Sequence, residues 1–253
     1  MKVGTREIAL VTTMAALQVA LDTYKIGFPV IGIEGAKISI ISSIVPIFGI
    51  LLGPWLGASA ALLGAATSRV VTGASFISWL LIATTPLSAF VAGCLSRRRV
   101  GMIRGWMISV FVLGGLIATW YGTWAGRAVL AFSFLHWAAL AAILIFRERL
   151  AFFIERGITA ELLVSVILCA FSANMVAQMY GTLVFLVAAD SGLVKVSLNA
   201  AFFEFLIPVF AVERLTVTGI SAILGVPIIK ALRHVKNAGY TRLRKSERTH
   251  EAL

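Results

Sequence analysis

The amino-acid sequence predicts an all-α, polytopic integral membrane protein. Of the 253 residues 60% are hydrophobic and only 13% are charged, and the mean hydropathy is +0.98. Several apolar runs approach the length of about 20 residues that a helix needs to cross a bilayer. A membrane β-barrel would instead show short segments of alternating hydrophobicity. We therefore expect a helical bundle of about eight spans in the cell membrane, with both termini in the cytoplasm.

The net charge of +11 comes from basic residues that are clustered along the chain. Most of the 22 Lys and Arg residues lie at the start, in residues 97–104, in residues 147–156, and in the tail from Lys230 onward. In the predicted topology all four groups fall on one side of the membrane, as the positive-inside rule requires. We therefore expect contact with the lipid bilayer and none with nucleic acid.

Two apolar runs, residues 38–52 and 55–71, flank a Gly-Pro turn and are the most informative part of the chain. Gly49, Gly53 and Gly57 are spaced four residues apart. Small residues at this spacing let helix backbones approach closely, which is a main source of attraction between helices in lipid. The pattern predicts two short membrane helices folded tightly on each other, with their turn at the cytoplasmic side.

The other apolar segments predict a further six spans. In chain order these are residues 7–21, 75–94, 105–124, 128–146, 162–189 and 212–229. Residues 22–37 would form a long outer loop, and residues 147–157 a charged, partly amphipathic inner connection. The run 162–189 is roughly 42 Å long as a helix. It exceeds a bilayer core of about 30 Å, so this helix must tilt, kink or protrude.

The boundary of the last span depends on a charged pair, Glu213 and Arg214. A span over residues 212–229 leaves this pair at the outer edge. One helix over residues 200–232 would place it near mid-membrane, where each charge costs about 2.5–3.5 kcal/mol or more. We therefore expect the shorter span. Residues 1–236 form one transmembrane domain in this interpretation, and residues 237–253 a basic cytoplasmic tail.

The sequence does not predict an enzyme. His136, His234 and His250 are scattered, and none lies at metal-ligand spacing from Cys, Asp or Glu. The chain also lacks a phosphate-binding GxxxxGK[ST] loop, so it would not drive transport with ATP by itself. We expect no catalytic residues, no metal site and no cofactor.

Polar residues converge on the outer side of the predicted topology, which suggests a small-molecule pocket. Asn174 and Gln178 are four apart and share one helix face, so they either hydrogen bond between helices or line a cavity. Glu204 lies in an aromatic segment and would either pair with Arg127 or Arg214 or bind a ligand. The residues assigned to the pocket on this basis are Tyr24, Lys25, Glu34, Lys37, Arg69, Asn174, Gln178 and Glu204.

Five features in order resemble the substrate-capturing (S) subunits of energy-coupling factor transporters. They are a first helix with the small-residue pattern AxxxA at Ala16 and Ala20, a long outer loop, and the hairpin ILLGPWLGASAALLGA. A fourth helix ending in basic residues and a last helix closing as LGVPIIKALR before the basic tail complete the set. The resemblance covers residues 5–97 and 160–235, and residues 105–146 would be an extra helical hairpin on a six-span core.

The resemblance implies a membrane subunit that captures a vitamin, a vitamin precursor or a similar micronutrient on the outer face. A transmembrane coupling subunit and two ATPase subunits would then drive delivery inward. Ala16 and Ala20 would contact the coupling subunit, and Asn199 would join Glu204 at the substrate.

Two alternatives remain open, a self-sufficient secondary carrier and a non-transporting membrane scaffold or anchor. The charge of the substrate is also open, because Glu204 favours a cation whereas Lys25, Lys37 and Arg69 favour an anion.

Overall fold

The computed structural model describes residues 4–24, 27–29, 37–194, 196 and 198–250, and the chain is all-α as predicted. Its helices are α1 (Thr5–Thr23), α2 (Ile41–Leu52), α3 (Pro54–Thr72), α4 (Phe76–Leu80), α5 (Thr84–Leu95), α6 (Gly105–Gly122), α7 (Trp124–Ala128), α8 (Phe134–Phe146), α9 (Arg149–Arg156), α10 (Thr159–Asp190) and α11 (Ala200–His250). Short 3₁₀ turns at Leu81–Ala83 and Leu130–Ser133 precede α5 and α8. Two small antiparallel hairpins pair β1 (Gly27–Pro29) with β2 (Lys37–Ser39) and β3 (Arg99–Val100) with β4 (Ile103–Arg104).

Several helices are membrane-spanning candidates. Within the described residues, four helical segments are long and apolar enough to cross a bilayer: Phe76–Leu95, Gly105–Gly122, Thr159–Asp190 and Ala200–Leu232. A fifth results if Leu130–Phe146 and Arg149–Arg156, which meet at a 70° bend, are counted together. Helix α2 is apolar but has only 12 residues. The chain is therefore an all-α bundle with several helices of membrane-spanning length and composition, while the count of eight spans and the side on which the termini lie stay predictions.

The Gly-Pro hairpin has the close packing that its glycine spacing predicts. Gly53 joins α2 to α3 with φ +85°, a backbone conformation that other residues rarely adopt. A Cβ added to Gly57 would lie 2.7 Å from the Gly49 Cα atom, and one added to Gly49 would lie 1.9 Å from the Ala89 carbonyl oxygen of α5. The backbones of α2, α3 and α5 thus touch at positions where any side chain would clash.

Helix α11 corrects the predicted boundary of the last span. The chain is helical from Ala200 without interruption, so residues 200–210 are not a separate element. Glu213 and Arg214 form an ion pair with each other, and their side chains are only 11% and 14% exposed. The sequence argument assumed two isolated charges in the membrane, whereas neighbouring opposite charges compensate one another and lower that cost. Neither predicted partner pairs with Glu204: Arg214 pairs with Glu213, and Arg127 donates to the carbonyls of Gly122 and Thr123.

Basic residues from separate parts of the chain meet at one end of the bundle. Arg98 pairs with Glu155 at 2.6 Å, and Arg104 pairs with Glu148 at 3.1 Å. Lys230, at the far end of the apolar part of α11, donates to the Thr159 hydroxyl at the start of α10. Three of the four predicted basic groups therefore lie together, and we call this region the basic end. The Gly-Pro turn lies there too, since the Gly53 backbone is next to the Arg97 side chain.

The extra hairpin formed by α6, α7 and α8 packs against α10 and α11. Trp120 of α6 is fully buried, and its ring centroid lies 4.7 Å from that of Phe132 and 5.4 Å from that of Phe203. Trp124 also contacts Phe203, at 6.0 Å, and donates its ring N–H to the Asp190 carboxylate at the end of α10. The hairpin thereby fixes the first turns of α11 against the rest of the bundle.

Candidate functional site

A cavity of about 710 Å³ lies between α2, α3, α5, α10 and α11, and we call it the central cavity. Its volume lies within the range of about 300–1,000 Å³ that is typical of small-molecule sites. Helix α3 begins at the basic end, and its last turn contributes Arg69 to the lining. The cavity therefore extends toward the end of the bundle that is remote from the basic clusters, which the sequence predicts to be the outer side.

Much of the lining of the central cavity is apolar and aromatic. It includes Phe185 of α10 and Phe202, Phe203, Leu206 and Phe210 of α11. Residues 203, 206 and 210 are three or four apart, so they share one face of α11. Hydroxyl, amide and guanidinium groups complete the lining. An apolar lining with a few convergent polar groups is the usual construction of a small-molecule site.

Asn174 and Gln178 of α10 both point their amide groups into buried space. They are 1% and 8% exposed, and both line the cavity. Asn174 Nδ2 and Gln178 Oε1 have no hydrogen-bond partner among the described residues. An amide oxygen and nitrogen can be exchanged by rotating the group, so the unpartnered atom in each side chain is an assignment. A buried amide without its hydrogen bonds costs about 1–3 kcal/mol per group, which a ligand would recover.

Helix α5 contributes two hydroxyl groups to the same lining. Thr85 and Ser88 are one turn apart and both line the cavity. Their Oγ atoms are buried and, within the part of the chain that the structure describes, lack hydrogen-bond partners. Each hydroxyl can donate one hydrogen bond and accept two. These hydroxyls can therefore satisfy either a donor or an acceptor on a bound molecule.

Arg69 occupies the end of the cavity at the last turn of α3. Its Nε donates to the Ser78 carbonyl at 2.7 Å, and its Nη1 donates to the Ala65 carbonyl at 2.9 Å. These two bonds use two of the five N–H donors of a guanidinium. The Asp22 carboxylate, which accepts from the Ser68 hydroxyl at 3.1 Å, acts electrostatically on the same guanidinium. Arg69 is thus held in place by backbone carbonyls.

Arg214 of α11 is the second cation that lines the cavity. Its Nη2 is engaged by Glu213, whereas its buried Nε has no partner among the residues described. The side chain therefore carries an unused donor into an apolar surrounding. From the sequence, Arg214 was considered only as a topological marker or as a partner for Glu204. It could have been recognised as a cavity residue because it is an Arg in a segment that is apolar on both sides.

The structure brings three of the predicted pocket residues together and separates the others. Arg69, Asn174 and Gln178 line the central cavity. Tyr24 is 78% exposed, and the Asn199 side chain accepts from the Phe202 N–H, so it caps the start of α11. Glu204 is exposed and is not part of the lining, although its neighbours Phe202 and Phe203 are. At about 100° per residue, Glu204 falls outside the part of α11 that presents Phe202, Phe203, Leu206 and Phe210 to the cavity.

The remaining predicted residues lie outside the cavity or outside the described residues. Lys25 and Glu34 are not among the described residues, and Lys37 is described only as a backbone position of β2. Ala16 and Ala20 are exposed on one face of α1. Thr85, Ser88 and Arg214 are among the lining residues that were not assigned to the pocket from the sequence.

Comparisons with known proteins identify a distant relative but no family. No family model and no solved structure matches the chain. The chain is similar to an uncharacterized protein of Methanocaldococcus jannaschii, MJ0923, with 29% identity over 196 residues. The match covers 77% of this chain and spans 61% of the relative's length. This relative is itself uncharacterized and indicates no activity, so the function is proposed from the cavity and the sequence.

Proposed function

We propose that the chain is the substrate-binding membrane subunit of an energy-coupling-factor-type importer. It captures a vitamin, a vitamin precursor or a similar micronutrient in the central cavity on the outer side of the cell membrane. A coupling subunit and two ATPases then drive delivery inward. Eight spans with both termini in the cytoplasm are part of this proposal.

The observation that carries the proposal is the pair of buried amides, Asn174 and Gln178, in a cavity of small-molecule size. Each has an unpartnered atom, and the Thr85 and Ser88 hydroxyls of the same lining are also unpartnered within the described chain. Inside a membrane protein, such groups are costly unless something binds them. A small molecule that carries both polar groups and an apolar surface would satisfy the polar and the aromatic parts of the lining.

Ala16 and Ala20 support a partner on α1. Both are exposed on the same helix face, four residues apart. Small residues at this spacing permit close approach of another membrane helix. Because the sequence contains no nucleotide-binding loop, the energy for transport would come from ATPase partners.

Co-purification and uptake test this interface. The double variant Ala16→Leu with Ala20→Leu, co-expressed with the coupling and ATPase subunits of its own organism, should lose their association and its uptake. The bulkier side chains hold the helices apart, while substrate binding by the isolated chain should be unchanged.

A matched control is the double variant Ala138→Leu with Ala141→Leu. These alanines are also exposed, but they lie on α8 in the extra hairpin. This variant should retain full association and uptake. Normal complex formation by the α1 variant would show that the interface assignment is wrong.

A further inference from the structure

We infer that the central cavity selects a molecule with a single carboxylate attached to a flat, apolar body. This inference rests on the proposed function, because it specifies the substrate of the same site. It resolves the question of substrate charge that the sequence left open, since the cationic and anionic hints there were balanced.

Charge along the cavity wall favours an anion. Arg69 and Arg214 both line the cavity, and among the described residues no Asp or Glu does. Glu204, which was the sequence-based reason to expect a cation, is exposed and outside the lining. Guanidinium groups bind carboxylates through charge-assisted hydrogen bonds, which are stronger than neutral ones.

The two guanidiniums limit how much negative charge the site can hold. Arg214 already pairs with Glu213, and the Asp22 carboxylate acts on Arg69. Each cation is therefore partly compensated from outside the lining, and a dianion such as a phosphate monoester would bring more negative charge than the two guanidiniums can balance in a poorly solvated space. A monoanion adds less and can still use the unpartnered Nε of Arg214. A carboxylate therefore fits the site better than a phosphate.

The aromatic residues of the lining favour a flat, apolar body. Phe185, Phe202, Phe203 and Phe210 all line the cavity. Aromatic rings pack well against other rings in offset or edge-to-face arrangements. The amides of Asn174 and Gln178 would meet polar substituents on the same molecule.

Matched ligands test the charge preference directly. The full chain, purified in detergent, is titrated with three sets of molecules that each share one ring system. They are nicotinate, nicotinamide and 3-(aminomethyl)pyridine; indole-3-acetate, indole-3-acetamide and tryptamine; and 2-naphthoate, 2-naphthamide and 2-naphthylmethylamine. In at least one set the acid should raise the unfolding midpoint most and bind most tightly, because a ligand of the folded state raises apparent stability.

Removing the buried ion pair tests the assigned residues. Arg214→Gln alone leaves the buried Glu213 unpaired, which destabilises the fold, so the main variant is Glu213→Gln with Arg214→Gln, which removes both charges together. It should weaken binding of the preferred acid about 10- to 100-fold and leave the matched amide nearly unchanged. Arg127→Gln is the control, because this exposed Arg contacts only backbone carbonyls in the described structure and lies outside the cavity lining.

Each result bears on a separate claim. If an amide or an amine binds as tightly as its acid, the monoanion inference is wrong while the cavity still binds small molecules. If the acid is preferred but the neutral double variant binds it like the Arg127→Gln control, Arg214 is not the anion-binding group. If none of the nine molecules binds at millimolar concentration, the monoanion inference is wrong, whereas the proposed function is decided separately by association and uptake of the Ala16→Leu, Ala20→Leu variant.

Discussion

Gly49→Ala is the sharpest test of the packing that frames the central cavity. The added Cβ would lie 1.9 Å from the Ala89 carbonyl oxygen and 2.7 Å from the Gly93 amide nitrogen. Real Cβ contacts under 3.0 Å are essentially never observed, so α2 and α5 would have to separate by more than 1 Å. The clashing atoms belong to the backbone, and no side-chain rotation relieves the contact.

The cost follows from this geometry. Overpacking a tight core costs typically about 1–3 kcal/mol, and a clash with backbone atoms of α5, which cannot rotate away, belongs at the upper end. For a chain of this size, 1 kcal/mol shifts the unfolding midpoint by about 2–4 °C. We therefore expect Gly49→Ala to lower the midpoint by about 6–12 °C in detergent. The same shift of α2 would displace Ser42 and Val45, which line the cavity, and weaken ligand binding.

Gly115→Ala supplies the matched control on α6. A Cβ there meets nothing within 4 Å, and alanine is the better helix former by about 1 kcal/mol in water. This variant should unfold at or slightly above the wild-type temperature. Measurements use thermal unfolding of purified protein, followed by tryptophan fluorescence and by circular dichroism. A Gly49→Ala midpoint within 2 °C of the control would refute the close approach of α2 and α5.

Two further predictions concern buried side chains. Asn174→Leu with Gln178→Leu should abolish small-molecule binding, while the ligand-free protein becomes no less stable because leucine removes the cost of burying an amide that lacks a hydrogen-bond partner. Ligand titration and thermal unfolding of the same samples measure the two effects, and retained binding would contradict the site. Cys94 and Cys169 are both fully buried, so neither should react with a maleimide in the folded protein and both should react after denaturation. Rapid labelling of the native chain, detected by mass spectrometry, would contradict the packing of α5 and α10.

Local sequence patterns predicted the frame of the protein. The spacing of Gly49, Gly53 and Gly57 depends only on residues that are near each other in the chain, so the hairpin could be predicted without knowledge of its neighbours. The shared face of Asn174 and Gln178 followed from helical periodicity for the same reason. In each case the pattern and the structural feature lie within one element or one hairpin.

Features that depend on pairing were missed. The boundary of the last span was wrong because Glu213 and Arg214 were counted as separate charges, whereas they form an ion pair within α11. Thr85 and Ser88 were not assigned to the pocket, because hydroxyls one turn apart on an apolar helix also hydrogen bond to their own backbone. Only the packing of α5 against α10 shows whether such a hydroxyl lines a cavity or serves its own helix, and the sequence contains no signal for that packing.

The unpartnered groups favour one of the two interpretations of the amides on α10. If Asn174 and Gln178 served to hold helices together, their polar atoms would hydrogen bond to a neighbouring helix. The structure instead leaves Asn174 Nδ2 and Gln178 Oε1 without partners among the described residues, beside a cavity large enough for a ligand. Leucine at both positions would fill the same space without the cost of burying an amide. This cost is the reason to propose that the two amides bind a ligand.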